Sequence, residues 1–321
     1  MSRLRFLAVL VCAAVSLSAT PLFVSGDLLW AAQDGRIYDI SKTRTSPLNF
    51  ATGHAPIANV GGTVLGQMAF SLDAKTAYVT VFGSNKVVTL TDSGQVSNHV
   101  TGIANPTGII RTSTGKMLVA SYTDGKIYDI TSGSPVVYAT GLVNPRNMVE
   151  TAAGIYVADQ GNSTVKLLIQ GNMASVTPLA YGIDAVSIAS FNNRLYVTSN
   201  SLTSVYDVTA GGNMTAKTPV AKNKYFTSLA VANGHLYAGT NSSTAAASGI
   251  WEIPKSGNSY TTANAETYNM AISGDSLLSV VPDAVIVTPP ASVPEPGTVI
   301  AGFSLLTFGL MLRRRCQALA S

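Results

Sequence analysis

Apolar runs of about four residues alternate with polar, glycine-rich turns along most of the chain, and they recur at a nearly fixed distance. One series reads Leu28–Ala31, Ala77–Thr80, Met117–Ala120, Ile155–Ala158, Leu195–Thr198, Leu236–Gly239 and Leu277–Val280. From Tyr78 onward, through Leu118, Tyr156, Tyr196, Tyr237 and Leu278, the steps are 38–41 residues; the step from Trp30 to Tyr78 is 48. A period of this size marks a repeat architecture. A second series follows after a turn: Ile37-Tyr-Asp-Ile40, Ile127-Tyr-Asp-Ile130, Val205-Tyr-Asp-Val208 and Ile250-Trp-Glu-Ile253, with Val87–Leu90 and Val165–Leu168 at the same phase. Alternating β-branched, aromatic and polar residues predict half-buried strands. The acids of this series lie opposite the isoleucines and read as solvent-side or ladder-end groups. A third run precedes each unit, as in Met68–Phe70, Gly108–Ile110, Met148–Val149 and Met270–Ile272, and a weaker fourth ends it, as in Val136–Ala139.

Four short strands per repeat define an all-β chain, a β-propeller of four-stranded blades. Each blade buries its faces only against its neighbours, so the units stack around an axis. The central series counts seven blades, with six as the alternative. The ends of the count are imperfect: the first blade lacks a clear first strand and the seventh a clear last one. Pro21–Ser25 is a candidate for the missing strand. Gly-Ile/Leu-x-Asn-Pro occurs at Gly102–Pro106 and Gly141–Pro145, and proline there marks crossings between blades. The stretch Ile155-Tyr-Val-Ala-Asp159-Gln-Gly161-Asn162-Ser-Thr-Val165 resembles an NHL repeat, and the body is similar in layout to the NHL, SMP-30 and streptogramin-lyase propellers. Asp159 and Asn162 are then expected to brace a turn through bonds to backbone amides.

The two ends differ from the body. Arg3 and Arg5 precede an apolar run, Phe6–Val15, which has the layout of a signal peptide over residues 1–26, cut between 19 and 26. The alternative is a retained N-terminal anchor. Residues 27–288 form the propeller, and a Pro-rich linker fills 289–297. Residues 298–321 hold the uncharged run Val299–Leu312, short for a helix crossing a core about 30 Å thick, and then Arg313-Arg314-Arg315. Those arginines would keep that end cytoplasmic. Val293, Pro294, Glu295 and Pro296, followed by the apolar run and the basic cluster, resemble the PEP-CTERM sorting domain of bacterial exopolysaccharide producers. The resemblance implies that Pro294, Glu295 and Pro296 are read by exosortase, a membrane protease-transpeptidase. It implies export, anchoring in the inner membrane until processing, and then the cell surface or extracellular matrix. A plain tail anchor is the alternative.

Charge and cysteine follow this division. The chain has 20 basic and 16 acidic residues; apart from Arg3, Arg5, Arg313, Arg314, Arg315 and Glu295, 15 of each sign remain. A neutral body argues against a nucleic-acid partner, which needs a concentrated basic face. Cys12 and Cys316 both fall in the ends, leaving no disulfide or thiolate site for the body.

No nucleophile elbow, phosphate loop or zinc signature occurs in the sequence. His54, His99 and His235 fall at unrelated phases of the repeat. The propeller resemblance brings one enzymatic alternative, a metal-dependent lactonase or lyase whose channel holds Ca²⁺ or another divalent ion through several oxygens. Glu150 and Asn147, on one inner strand, are the metal candidates; the early glutamate of that family has no counterpart. No catalytic residue set is otherwise legible. The leading expectation is a non-enzymatic, cofactor-free scaffold whose loops bind a protein or polysaccharide. A plain spacer is the third reading. Carboxylates and amides converging at the channel mouth would favour the enzyme; a plug of Ser, Thr and Val would favour the scaffold.

Overall fold

The structure, a computed structural model, describes residues 21–40, 55–168, 178–222, 224–242, 249–253, 255–256, 259–260, 266–269, 274–275 and 277–282. Six sheets make up a six-bladed β-propeller, antiparallel except where Gly212–Asn213 adds a parallel edge strand beside Pro178–Tyr181 of blade 4. Blades 2 to 6 take their strands in chain order, with inner strands Leu65–Phe70, Pro106–Arg111, Pro145–Thr151, Ala185–Phe191 and Phe226–Ala232. Blade 1 is composite. Its second, third and outer strands are Leu28–Ala31, Arg36–Asp39 and Ala58–Asn59, and its inner strand is Leu277–Val280, which pairs antiparallel with Leu28–Ala31.

This arrangement corrects the count of seven. Leu277–Val280 shares the apolar pattern of the central series but serves as the inner strand of the blade that begins at Leu28. The incomplete first blade and the incomplete seventh are therefore one blade, closed by the two ends of the propeller. A second correction concerns Pro21–Ser25, which is no blade strand. It crosses blade 2, where the amides of Leu22 and Phe23 donate to the backbone carbonyl and the side chain of Asp92 at 3.2 and 2.9 Å. Phe23 is buried edge-on against Phe70, with ring centres 5.2 Å apart. Met270–Ile272 and the segments 41–54, 289–297 and 298–321 lie outside the described residues. Among the described residues no helix is long and apolar enough to cross a membrane.

Strand alternation explains the ring. Leu29 and Ala31 face blade 2, whereas Leu28 and Trp30 face blade 6. Every blade divides its side chains in this way, and the buried apolar residues fall into six clusters, one at each junction. Burial of about 1.5–3 kcal/mol per large apolar side chain drives each junction.

The acids of the Tyr-Asp pattern hold hairpins together at their ends. Asp129 accepts from Lys116 Nζ at 2.6 Å, and Asp207 from Arg194 Nη1 at 2.6 Å. Each also accepts from the amide and hydroxyl of a threonine two residues on, Thr131 or Thr209. That hydroxyl in turn accepts from an amide at the start of the second strand, Met117 or Leu195, at 2.9 Å. Burial raises the pKa of both carboxyls, yet the hydrogen bonds and the nearby cations outweigh it, and both lie below the ordinary carboxylate value. A depressed folded-state pKa contributes stability that is present above the unfolded value, about 3.9, and lost as pH falls through the folded one. The double variant Asp129→Asn/Asp207→Asn should therefore lose less stability than the parent between pH 5 and pH 2, as read by urea denaturation. Equal acid losses in the two proteins would remove these carboxylates from the acid response.

Candidate functional site: the channel and its crossover-side mouth

Six inner strands line the axis, and five are bulged in their first half, between Leu65 and Met68, Pro106 and Ile109, Pro145 and Met148, Ala185 and Ser187, and Phe226 and Ser228. A bulge leaves backbone groups without ladder partners. Small polar side chains supply the missing bonds from the neighbouring blade. Ser279 Oγ accepts from the Met68 amide at 3.0 Å, joining blades 1 and 2. Thr80 donates to the Thr107 carbonyl at 2.6 Å, and Thr107 to that of Pro145 at 3.0 Å. Asn147 Nδ2 donates to Ser187 Oγ at 2.8 Å, and that oxygen accepts from the Leu229 amide at 3.0 Å. Ser228 Oγ accepts from the Leu278 amide at 3.2 Å and returns the circuit to blade 1. All six junctions are thus bridged around the axis by buried hydroxyls and one amide. The groups that converge on the axis are thus Ser and Thr hydroxyls and the Asn147 amide.

Below the ring the channel opens to a space of about 350 Å³ lined by Met68, Ile109, Met148, Ile188 and Leu229 together with the polar Gln67, Asn147, Ser190 and Ser279. Above it, on the face where chain crosses from blade to blade, lies a smaller pocket of about 50 Å³. Gln67, Phe82, Thr107, Gly108, Arg146 and Asn147 are among its walls. Gly108 admits a close approach: a Cβ there would lie 2.4 Å from the Arg146 carbonyl oxygen.

The Asn-Pro crossings shape this mouth. Asn105 and Asn144 take left-handed conformations, with φ of 47° and 51°, which asparagine tolerates better than most residues. Their side-chain amides donate to the carbonyls of Phe82 and Tyr122, at 3.2 and 3.1 Å. Each crossing therefore pins the aromatic turn of the preceding blade beside the axis. Phe82 and Tyr122 meet edge to face at 5.9 Å, and the Arg146 guanidinium lies over Tyr122 at 4.6 Å. Gln160 Oε1 accepts from Arg146 Nε at 2.6 Å.

Asp159 anchors the next turn. Its fully buried carboxylate accepts from the amide of Val143 in the crossing, from Asn162 Nδ2 and from Lys166 Nζ, at 2.7, 2.7 and 2.6 Å. The amide it binds belongs to the crossing rather than to its own turn, and Asn162 binds Asp159 instead of the backbone.

The metal candidates do not share a site. Asn147 belongs to the polar ring, with its amide on Ser187. Glu150 lies at the far end of the same strand, and its two oxygens accept from the amide and hydroxyl of Ser113 in blade 3, at 2.5 and 2.9 Å. It borders a separate surface cleft with Tyr138 and Thr151. Among the described residues no group of three or more His, Cys, Asp and Glu side chains is placed to hold a metal ion. The pair therefore does not gather the six or more oxygens that a Ca²⁺ shell takes. His99 donates to the Ile130 carbonyl at 2.8 Å across the junction of blades 2 and 3, and His235 pairs with Glu252; His54 lies outside the described residues.

Fold and axis together define a six-bladed propeller with a polar-bridged channel. No family model and no curated protein matches the sequence. Among solved structures the chain is similar to one in a nidogen/laminin complex, with a TM-score of 0.59, 14% identity, and coverage of 80% of this chain and 99% of that one. It is similar to a gluconolactonase of Xanthomonas campestris, with a TM-score of 0.55, 12% identity, and coverage of 68% and 80%. Virginiamycin B lyase of Staphylococcus aureus gives a TM-score of 0.53, 14% identity, and coverage of 81% and 90%. At these identities the likeness is one of fold, and the fold serves binding proteins and enzymes alike.

Proposed function

We propose that the chain is an exported propeller scaffold that binds a protein or polysaccharide partner through its crossover face. One observation carries this reading. Among the described residues, the exposed tyrosines Tyr181 and Tyr225 (49% and 58%) and the exposed Val143 (44%) all border crossings on the face that holds Phe82, Tyr122 and Arg146. Exposed aromatics and an arginine on one face suit a binding surface. The axis, by contrast, spends its polar groups on holding the blades together.

The ends of the sequence support delivery to the envelope. In this reading exosortase acts at Pro294-Glu295-Pro296, and Arg313–Arg315 hold the tail on the cytoplasmic side until then. Phe23, buried between blades 1 and 2, favours cleavage of the leader at the Ala19 end of its window. Two measurements test the proposal. The full chain should capture matrix components of its own organism in a pull-down, and Tyr181→Ala/Tyr225→Ala should weaken that capture; equal capture by both proteins would sink the assignment of the face. Replacing Pro294, Glu295 and Pro296 by alanine should leave the protein in the membrane fraction of its host. Unchanged release would overturn the sorting role of that motif.

A further inference from the structure

We propose that the pocket above the polar ring is a carboxylate site, in which Arg146 and Gln67 take the acid group of a ring-bearing ligand and Phe82 and Tyr122 border the ring. This rests on the binding reading above and names a ligand class for it.

Arg146 is half-buried, and among the described residues no carboxylate pairs with it. Its Nε is held by Gln160 and its plane by Tyr122, which fixes the guanidinium before any ligand arrives. The two terminal nitrogens have no protein acceptor among the described residues, and the side-chain amide of Gln67, which also lines the pocket, has no protein partner among them either. The terminal nitrogens of a guanidinium held in place this way stay open to a ligand, and a planar carboxylate matches the fork with two parallel bonds. Gln67 contributes a neutral amide donor, and no acidic residue is among the pocket's walls.

Size narrows the class. About 50 Å³ is room for a few water-sized groups, which suits a carboxylate head and excludes a whole sugar or aromatic ring. The remainder of a ligand must lie outside, past Phe82, a wall of the pocket whose ring meets that of Tyr122 edge to face. A flat ring with a C–H-rich face and one carboxylate, as in a uronic acid, meets both demands.

Calorimetric titration of the full chain tests this with D-glucuronate, D-glucose and acetate as probes. Glucuronate should bind more tightly than acetate, and glucose should give no measurable binding. Arg146→Gln should weaken glucuronate about tenfold or more, the loss of a charge-assisted pair, at an unchanged melting temperature. Gln67→Ala should weaken it by a smaller factor. If Arg146→Gln melts early, Arg146→Lys, which keeps the charge without the fork, carries the comparison and should also bind more weakly. Glucose binding as well as glucuronate, absence of glucuronate binding, or unchanged affinity in the arginine variants overturns the site. Acetate binding as tightly as glucuronate overturns the ring-bearing class. The matrix pull-down reads the whole face and this titration the pocket alone, so the two proposals fail separately.

Discussion

A chain ended after Ser276 should lose its cooperative melting transition and self-associate, whereas one ended after Ala284 should melt with the full chain. The shorter chain lacks Leu277–Val281, and with them the inner strand of blade 1. Leu278 and Val281 are nearly fully buried and belong to the clusters on the two sides of that blade. Two of the six polar bridges also go, from Ser279 to the Met68 amide and from Ser228 to the Leu278 amide. Loss of two large buried side chains costs about 1.5–3 kcal/mol each. Exposure of Trp30, which packs against Leu278 and is 1% exposed, adds to this, against a total stability of about 5–15 kcal/mol. The bared strand Leu28–Ala31 is an apolar edge, a template for pairing with another chain. Circular dichroism melts and size-exclusion chromatography read both effects. A monomeric truncation that melts with the parent would show that the ring does not depend on this closure.

The same strand explains why the repeat was legible and its number was not. Periodicity reports how many apolar runs the chain contains, and Leu277–Val280 is such a run. It does not report which neighbour a run pairs with. Leu277-Leu-Ser-Val280 carries no mark separating an inner from a central strand, since both are buried on two faces. The two incomplete blades at the ends were the available signal, because a ring that closes by joining its termini must leave each end incomplete.

The candidate site was legible in pieces. The two Asn-Pro crossings stood out, because left-handed asparagine followed by proline is a local requirement. Their use, in pinning Phe82 and Tyr122 at the mouth, depends on contacts between residues 22 and 23 positions apart. Arg146 carried no signal at all; its partners Tyr122 and Gln160 come from different blades. Glu150 and Asn147 looked related because they share a strand. That strand runs from the mouth toward the opposite face, so only two residues separate a ring amide from a carboxylate stapled to Ser113, yet the two groups serve different places.

Replacing Asp159 by alanine should cost about 3–5 kcal/mol, the range for breaking a buried ion pair from one side. For a propeller of this size each kcal/mol shifts the melting temperature by about 2–4 °C, so a loss on the order of 10 °C is expected. The size follows from what remains behind. Lys166, 13% exposed, would keep a charge with no partner, and the Val143 amide and Asn162 would lose their acceptor. The effect should reach the crossing, because Val143 precedes the asparagine that positions Tyr122. A second substitution separates charge from hydrogen bonding. In Asp159→Asn/Lys166→Met the amide oxygen can still accept from Val143 and the stranded cation is gone, so stability should return to within about 1–2 kcal/mol of the parent. Urea denaturation of Asp159→Asn, Lys166→Met and the double variant closes the cycle. Additive losses would mean that Asp159 acts through the crossing amide and not through Lys166. A single Asp159 variant as stable as the parent would mean that the buried carboxylate holds neither, and that the crossing is positioned by the apolar packing of Leu142 alone.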